Sequence, residues 1–127
     1  MDDATLVSQF EDCTLPELTH RDHVRLVFLY AQQGRVYERV RAGLVAYTAS
    51  RGSGSAFHET RTWAWAQLIA AAAAEFDGDF DAFWVRHPEF DRRDLLDDYY
   101  SDILKSDAAR ATVLQPDLRP LRPRSPE

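Results

Sequence analysis

Three of the four histidines in this 127-residue chain lie in two short polar clusters, and each cluster opens a segment with the apolar spacing of a helix. His20 and His23 belong to the first cluster, and His58 opens the second, which reads His-Glu-Thr-Arg-Thr. Histidine titrates near neutral pH and is the commonest metal ligand in proteins. Because three neutral imidazoles and a water match the ligands of a catalytic metal site, the pattern predicts a divalent transition metal: zinc, iron, nickel or copper.

The spacing within each cluster predicts that the three imidazoles face one core. His20 and His23 are three residues apart, which places their Cβ atoms about 5–6 Å from each other on one side of a helix. His58 and Thr62 begin a second stripe of the same kind, and apolar residues continue both stripes. Two crossing helices would bring the histidines together beside a pocket for a small-molecule substrate. A metal held there would act as a Lewis acid or would activate water or oxygen.

Glu59 follows His58 directly, and its role is the one that the pattern defines least. It fits a fourth metal ligand, an acceptor that orients an imidazole, or an acid stabilised by the dipole at the start of a helix. Thr62 offers a hydroxyl to a ligand, or it bonds back to a helix carbonyl. We name Glu59 and Thr62 as candidate catalytic residues, and we expect Trp63 and Trp65 to form core or pocket wall.

Two other functions fit the same residues. A metal-free enzyme would use His58 and Glu59, or His20 and Asp22, to move protons on a small metabolite. A non-enzymatic module would use its histidines for structure and would bind a ligand or a partner protein. The sequence contains no nucleophile elbow, phosphate-binding glycine loop or dinucleotide fingerprint, so it disfavours serine hydrolysis, nucleotide hydrolysis and Rossmann redox chemistry.

The sequence pattern predicts that the segments carrying these residues, and the rest of the domain, are helices. Apolar periodicity, with no strand alternation, predicts an all-α single domain of five or six helices around one core. Prolines and glycines separate the helical segments, and Thr19 is the expected N-cap of the second. After residue 115, prolines alternate with arginines, so we expect 1–115 to form the domain and 116–127 an extended tail outside it. The expected helices run from about Ala4 to Asp12, Thr19 to Gly34, Val36 to Thr48, His58 to Phe76, Phe80 to Arg86 and Tyr99 to Thr112.

Composition limits the partners and the compartment. With 45% hydrophobic residues, the chain can bury one core without disulfides or structural metal. A net charge of -6 argues against a nucleic-acid partner, and the apolar run from Leu68 to Ala74 is too short to cross a membrane. The lone cysteine, Cys13, and a start that does not read as a secretory signal predict a reducing cytoplasm. The oligomeric state stays open, with a homodimer as one option.

Several short motifs follow one another along the chain. They are Cys13-Thr14-Leu15-Pro16 with Thr19-His20 and His23, then Phe57-His58-Glu59-Thr60 with Thr62, then Tyr99-Tyr100-Ser101 with Ser106, Ala109-Arg110 and Pro116-Asp117-Leu118. In these motifs, which span most of its length, the chain resembles a group of small all-helical bacterial proteins with a His-x-x-His pair and a His-Glu-Thr-x-Thr cluster. The resemblance implies that the two clusters form one site, and it implies no particular reaction because none is established for the group.

Overall fold

Helices supply all the regular structure of residues 1–121, the part of the chain that the computed structural model describes. Six α-helices are present and no strand occurs in this part, so the predicted all-α fold is confirmed. Within the same residues, no helix combines the length and apolar composition needed to cross a bilayer. The α-helices are α1 (Asp3–Glu11), α2 (His20–Ala31), α3 (Val36–Ser50), α4 (Glu59–Ala74), α5 (Phe80–Arg86) and α6 (Asp107–Ala111), and short 3-10 helices cover Gly54–Ala56, Pro88–Asp91, Leu95–Asp98 and Asp102–Lys105.

A capping box fixes the start of α2. The Thr19 hydroxyl accepts a hydrogen bond from the Asp22 amide at 3.0 Å, and the Asp22 carboxylate accepts one from the Thr19 amide at 3.3 Å. This reciprocal pair satisfies two of the amide donors at the beginning of the helix, as the sequence predicts. His20 and His23 therefore lie in a first turn that is capped by Thr19 and Asp22 and not by a histidine.

Helix α4 runs through the centre of the fold and packs against α2, α3 and α6. Small residues allow this close packing, since Ala64 and Ala66 are completely buried among neighbouring helices. Trp65 and Ile69 are also buried and join one continuous core. The start of α4 therefore lies beside the start of α2, where the His20 ring contacts Trp65.

The continuous helix predicted from Tyr99 to Thr112 is wrong. A short 3-10 helix ends before Ser106, and α6 begins after it. The Ser106 hydroxyl accepts a hydrogen bond from the Ala109 amide at 3.1 Å, which makes Ser106 the N-cap of α6. Serine bonds readily to nearby main-chain groups, and here that bond starts a new helix in the middle of the apolar pattern.

The proline- and arginine-rich segment packs on the helical domain over residues 116–121. The Asp117 carboxylate accepts a hydrogen bond from the Ser101 amide at 2.9 Å, and Leu121 is buried in the core. The backbone of 116–121 has no regular helix. The domain thus continues through residue 121, beyond the boundary predicted after residue 115, and the part of the predicted tail over 122–127 lies outside the described residues.

Candidate functional site

A pocket of about 240 Å³ lies between the N-terminal turns of α2 and α4 and the C-terminal half of α3. It brings together His23, His58 and Thr62, three of the residues predicted from the sequence. Ala56 is exposed at its edge, so the pocket opens to the surface. The complete lining is His23, Leu44, Thr48, Ala56, Phe57, His58, Arg61, Thr62 and Trp65.

His23 lines this pocket and carries an unpartnered buried nitrogen. Its Nε2 is closed to solvent and has no hydrogen-bond partner within residues 1–121. Burial, and secondly the neighbouring His20, lower the pKa of His23 to about 4, so the imidazole is neutral at physiological pH. A buried polar atom without a partner costs about 1–3 kcal/mol, and a ligand that bonds to Nε2 would recover that energy.

Both ring nitrogens of His58 are occupied by main-chain groups. Nδ1 accepts a hydrogen bond from the Arg61 amide at 3.1 Å, which makes His58 the N-cap of α4. Nε2 lies 2.9 Å from the Leu104 carbonyl oxygen and carries the proton, because a carbonyl can only accept. Burial also lowers the pKa of His58 below its usual value, which favours this neutral form. The ring has no nitrogen left for a ligand.

His20 does not line the pocket. Its Nε2 lies 2.7 Å from the Phe90 carbonyl oxygen and donates to it. The ring also meets Trp65 edge-on, with the two ring centroids 5.2 Å apart. His20 therefore connects α2 to the 3-10 helix at Pro88–Asp91 and to the wall of the pocket.

The three histidines do not form a metal centre in this arrangement. A metal ligand must offer a free lone pair, and His58 has none, because Nδ1 accepts from the Arg61 amide and Nε2 donates to the Leu104 carbonyl. His20 donates through Nε2 and keeps the Nδ1 lone pair. No group of three or more histidine, cysteine, aspartate or glutamate side chains between residues 1 and 121 is placed to hold a metal ion. Forming the predicted site would require His58 to give up one of its main-chain partners.

Glu59 points toward α3 and does not line the pocket. Its carboxylate accepts hydrogen bonds from Arg41 Nε at 2.8 Å and from the Tyr37 hydroxyl. Burial alone would raise the pKa of Glu59, but the bonds from Arg41 and Tyr37 hold it below its usual value. Of the roles predicted for Glu59, the geometry matches the acid in the first turn of a helix, which here also links α4 to α3.

The threonines at the start of α4 also bond to the main chain. The Thr62 hydroxyl donates to the His58 carbonyl at 2.8 Å, which is the back-bonded arrangement, although the residue still lines the pocket. The Thr60 hydroxyl, completely buried, donates to the Thr112 carbonyl at 2.7 Å and accepts from the Leu114 amide at 3.0 Å. Thr60 thus attaches the C-terminal segment to α4.

Arg61 is a pocket residue for which the sequence predicted no role. It lines the pocket together with Trp65, four residues later on α4. That spacing is the signal that could have found it, because residues four apart share a helix face. The same signal marks the partners of Glu59, since Tyr37 and Arg41 are four apart on α3.

Comparison with known proteins adds no assignment to this site. No protein-family model, curated protein or solved structure matches the chain. The resemblance to small bacterial proteins therefore stays a prediction, and the function must be inferred from the pocket itself.

Proposed function

We propose that the protein binds a small metabolite in the pocket between α2, α3 and α4, and that His23 is the residue that recognises it. The observation that carries this proposal is the His23 side chain, which lines the pocket and whose Nε2 atom is buried and has no partner within residues 1–121. Buried polar side-chain atoms in folded proteins nearly always have a hydrogen-bond partner. An unpaired nitrogen on a side chain that lines an open pocket supports a contact with a ligand that enters beside the ring.

The size and walls of the pocket restrict the ligand. Its volume of about 240 Å³ is below the range of about 300–1,000 Å³ that is usual for pockets binding drug-sized molecules. Leu44, Phe57 and Trp65 supply apolar walls, while His23 and Arg61 supply polar groups. These features favour a short molecule with an apolar body and few polar atoms.

The chemistry of His23 favours binding over proton transfer. A general base works best when its pKa lies near the operating pH, and the pKa of about 4 for His23 is well below neutrality. The alternative acid/base pair, His58 with Glu59, has its ring nitrogens and its carboxylate engaged by protein groups. A neutral His23 imidazole is suited to a hydrogen bond with a ligand.

The proposal is tested by nuclear magnetic resonance on protein with isotope-labelled histidine. Alcohols, amides, amines and carboxylates of about four to eight non-hydrogen atoms are added at about 10 mM, the concentration range suited to weak fragments. We expect at least one compound to shift the His23 Nε2 resonance and to leave the resonances of His87 unchanged. His87 lies outside the pocket, with Nδ1 3.0 Å from a Glu89 carboxylate oxygen.

Matched variants separate recognition from structure. His23→Leu should abolish binding, whereas His87→Leu should leave it intact. Because His23 Nε2 has no partner to lose, His23→Leu should also keep or raise the free energy of unfolding at neutral pH. The proposal is wrong if no compound shifts the His23 resonance, or if His23→Leu binds normally and is less stable by more than about 1 kcal/mol.

A metal-dependent enzyme that uses His20, His23 and His58 is a second candidate. The free Nε2 of His23 favours it, because that atom is available to a metal. Metal analysis of protein purified without a histidine tag tests it against His20→Ala and His58→Ala. Stoichiometric metal in the wild type that both variants lose would support this candidate, and wild-type protein without bound metal would reject it.

A further inference from the structure

We infer that the ligand of this pocket is a small monocarboxylate and that the guanidinium of Arg61 is its counter-ion. The inference rests on the proposed function, since it names the chemical class of the molecule that would also contact His23. Arg61 is the charged member of the pocket lining, and that lining contains no aspartate or glutamate. In a chain with 21 acidic residues and a net charge of -6, a pocket free of carboxylates favours an anion.

Arg61 is half-buried, yet within residues 1–121 its guanidinium takes part in none of the ion pairs. Arg25 is also half-buried and shows the usual arrangement. Its guanidinium pairs with Asp3 at 2.6 Å and also donates to the Met1 carbonyl at 3.0 Å. A guanidinium on a half-buried side chain, with no protein carboxylate beside it among residues 1–121, is available to a carboxylate from solution, whose two oxygens match its planar fork.

Further positive charge surrounds the same position. Arg110 donates to the carbonyl of Ser55 at 2.6 Å, on the loop that leads into the pocket residues Ala56 and Phe57. Burial is the largest cause of the lowered pKa of His58, and the charges of Arg61 and Arg110 lower it further. Both guanidinium groups therefore lie near that ring. The N-termini of α2 and α4 add the positive ends of two helix dipoles.

The walls of the pocket favour a carboxylate over an inorganic anion. Phe57 and Trp65 offer apolar surface that a short hydrocarbon chain would cover and that phosphate would leave uncovered. A single guanidinium in the lining offsets one negative charge, which matches a monocarboxylate. His23, being neutral, then bonds to the ligand without adding a second charge.

Four probes of similar size test the inference by resonance titration at constant ionic strength, since surface charge effects are screened by salt. They are butyrate, its neutral analogue butyramide, the cation butylamine, and inorganic phosphate. We expect butyrate to bind at least about tenfold more tightly than butyramide, and we expect butylamine and phosphate to leave the pocket resonances unchanged.

Arginine variants identify the counter-ion. Arg61→Gln should weaken butyrate binding by about tenfold or more and leave butyramide binding unchanged. Arg86→Gln is the matched control, because Arg86 is exposed at the end of α5, away from the pocket, and should change neither affinity.

The outcomes distinguish this inference from the proposed function. If butyramide or butylamine binds as tightly as butyrate and still requires His23, the pocket binds metabolites and the carboxylate assignment is wrong. The assignment is also overturned if butyrate gives no shift at about 10 mM, if phosphate binds as tightly as butyrate, or if Arg61→Gln leaves butyrate affinity within about twofold.

Discussion

The N-terminal turns of α2 and α4 both begin with a histidine cluster, and the structure uses the two clusters differently. At the start of α4, His58, Thr60 and Thr62 all bond to main-chain groups. At the start of α2, His20 bonds to a main-chain carbonyl, whereas Nε2 of His23 has no partner in the described chain. The comparison teaches that residues of the same type near the start of a helix can hold the fold in one place and remain without a partner in another.

The two clusters differ because the main-chain groups near each helix start differ in their need for side-chain hydrogen bonds. The segment that packs on α4 is irregular, so the Leu104 and Thr112 carbonyls and the Leu114 amide need side-chain partners, which α4 supplies. At the start of α2 the capping box satisfies the Thr19 and Asp22 amides without any histidine. The His23 side chain is therefore not needed for the cap and can line the pocket.

Of the variants that test this difference between the two helix starts, Thr60→Val should change the free energy of unfolding most. Valine keeps the shape of the buried side chain but leaves the Thr112 carbonyl and the Leu114 amide without partners. Both bonds are only partly buried, so we take about 1–2 kcal/mol for each unpaired group and expect the free energy of unfolding to fall by about 2–4 kcal/mol in urea denaturation. Thr14→Val, at an exposed position, should stay within about 0.5 kcal/mol. Equal stability of the two variants would show that Thr60 does not hold the C-terminal segment.

Lowering the pH should destabilise the protein through His23 in the first turn of α2. The pKa of His23 is about 4 in the folded protein and 6.5 as its ordinary value, so the unfolded chain binds more protons between these values. Above about pH 6.5 His23 therefore does not reduce the free energy of unfolding. As the pH falls from about 7 to about 5, this group alone lowers the free energy of unfolding by about 2 kcal/mol. His23→Leu should remove that component.

Urea denaturation across this pH range measures the difference between the two proteins. Glu59 contributes little there, because its pKa lies below its usual value and its titration falls at lower pH. If wild type and His23→Leu lose stability in parallel, His23 is not a buried neutral group and its proposed place in the pocket is wrong.

Much of the fold follows from local signals in the sequence. The capping box predicts the start of α2 at Thr19, and aromatic spacing with a following proline predicts α5 over Phe80–Arg86 as observed. The predicted helix over Tyr99–Thr112 fails because Ser106 prefers a capping bond that apolar periodicity does not register. The packing of Leu121 depends on contacts distant in sequence, which no local pattern encodes.

The sequence also predicts one part of the candidate site and not the other. The helical stripes predict that His23, His58 and Thr62 meet, and one pocket contains all three. Whether a nitrogen is free depends on its partners, and the Leu104 carbonyl that occupies His58 lies 46 positions away in the chain. Sequence spacing therefore brings the imidazoles to one place but does not reveal which of them is available.

The smallest effect should come from replacing His58 so that only one of its two bonds is lost. In His58→Asn the side-chain oxygen can still accept from the Arg61 amide as an N-cap, but the shorter side chain no longer reaches the Leu104 carbonyl. We expect a loss of about 1 kcal/mol in urea denaturation, and about 1 kcal/mol more for His58→Ala, which also removes the cap. Since neither nitrogen of His58 is free, His58→Asn should lose only the affinity that the ring supplies as part of the pocket wall, whereas His23→Leu should abolish binding. An Asn variant with unchanged stability and abolished binding would reverse the roles assigned to the two helix starts.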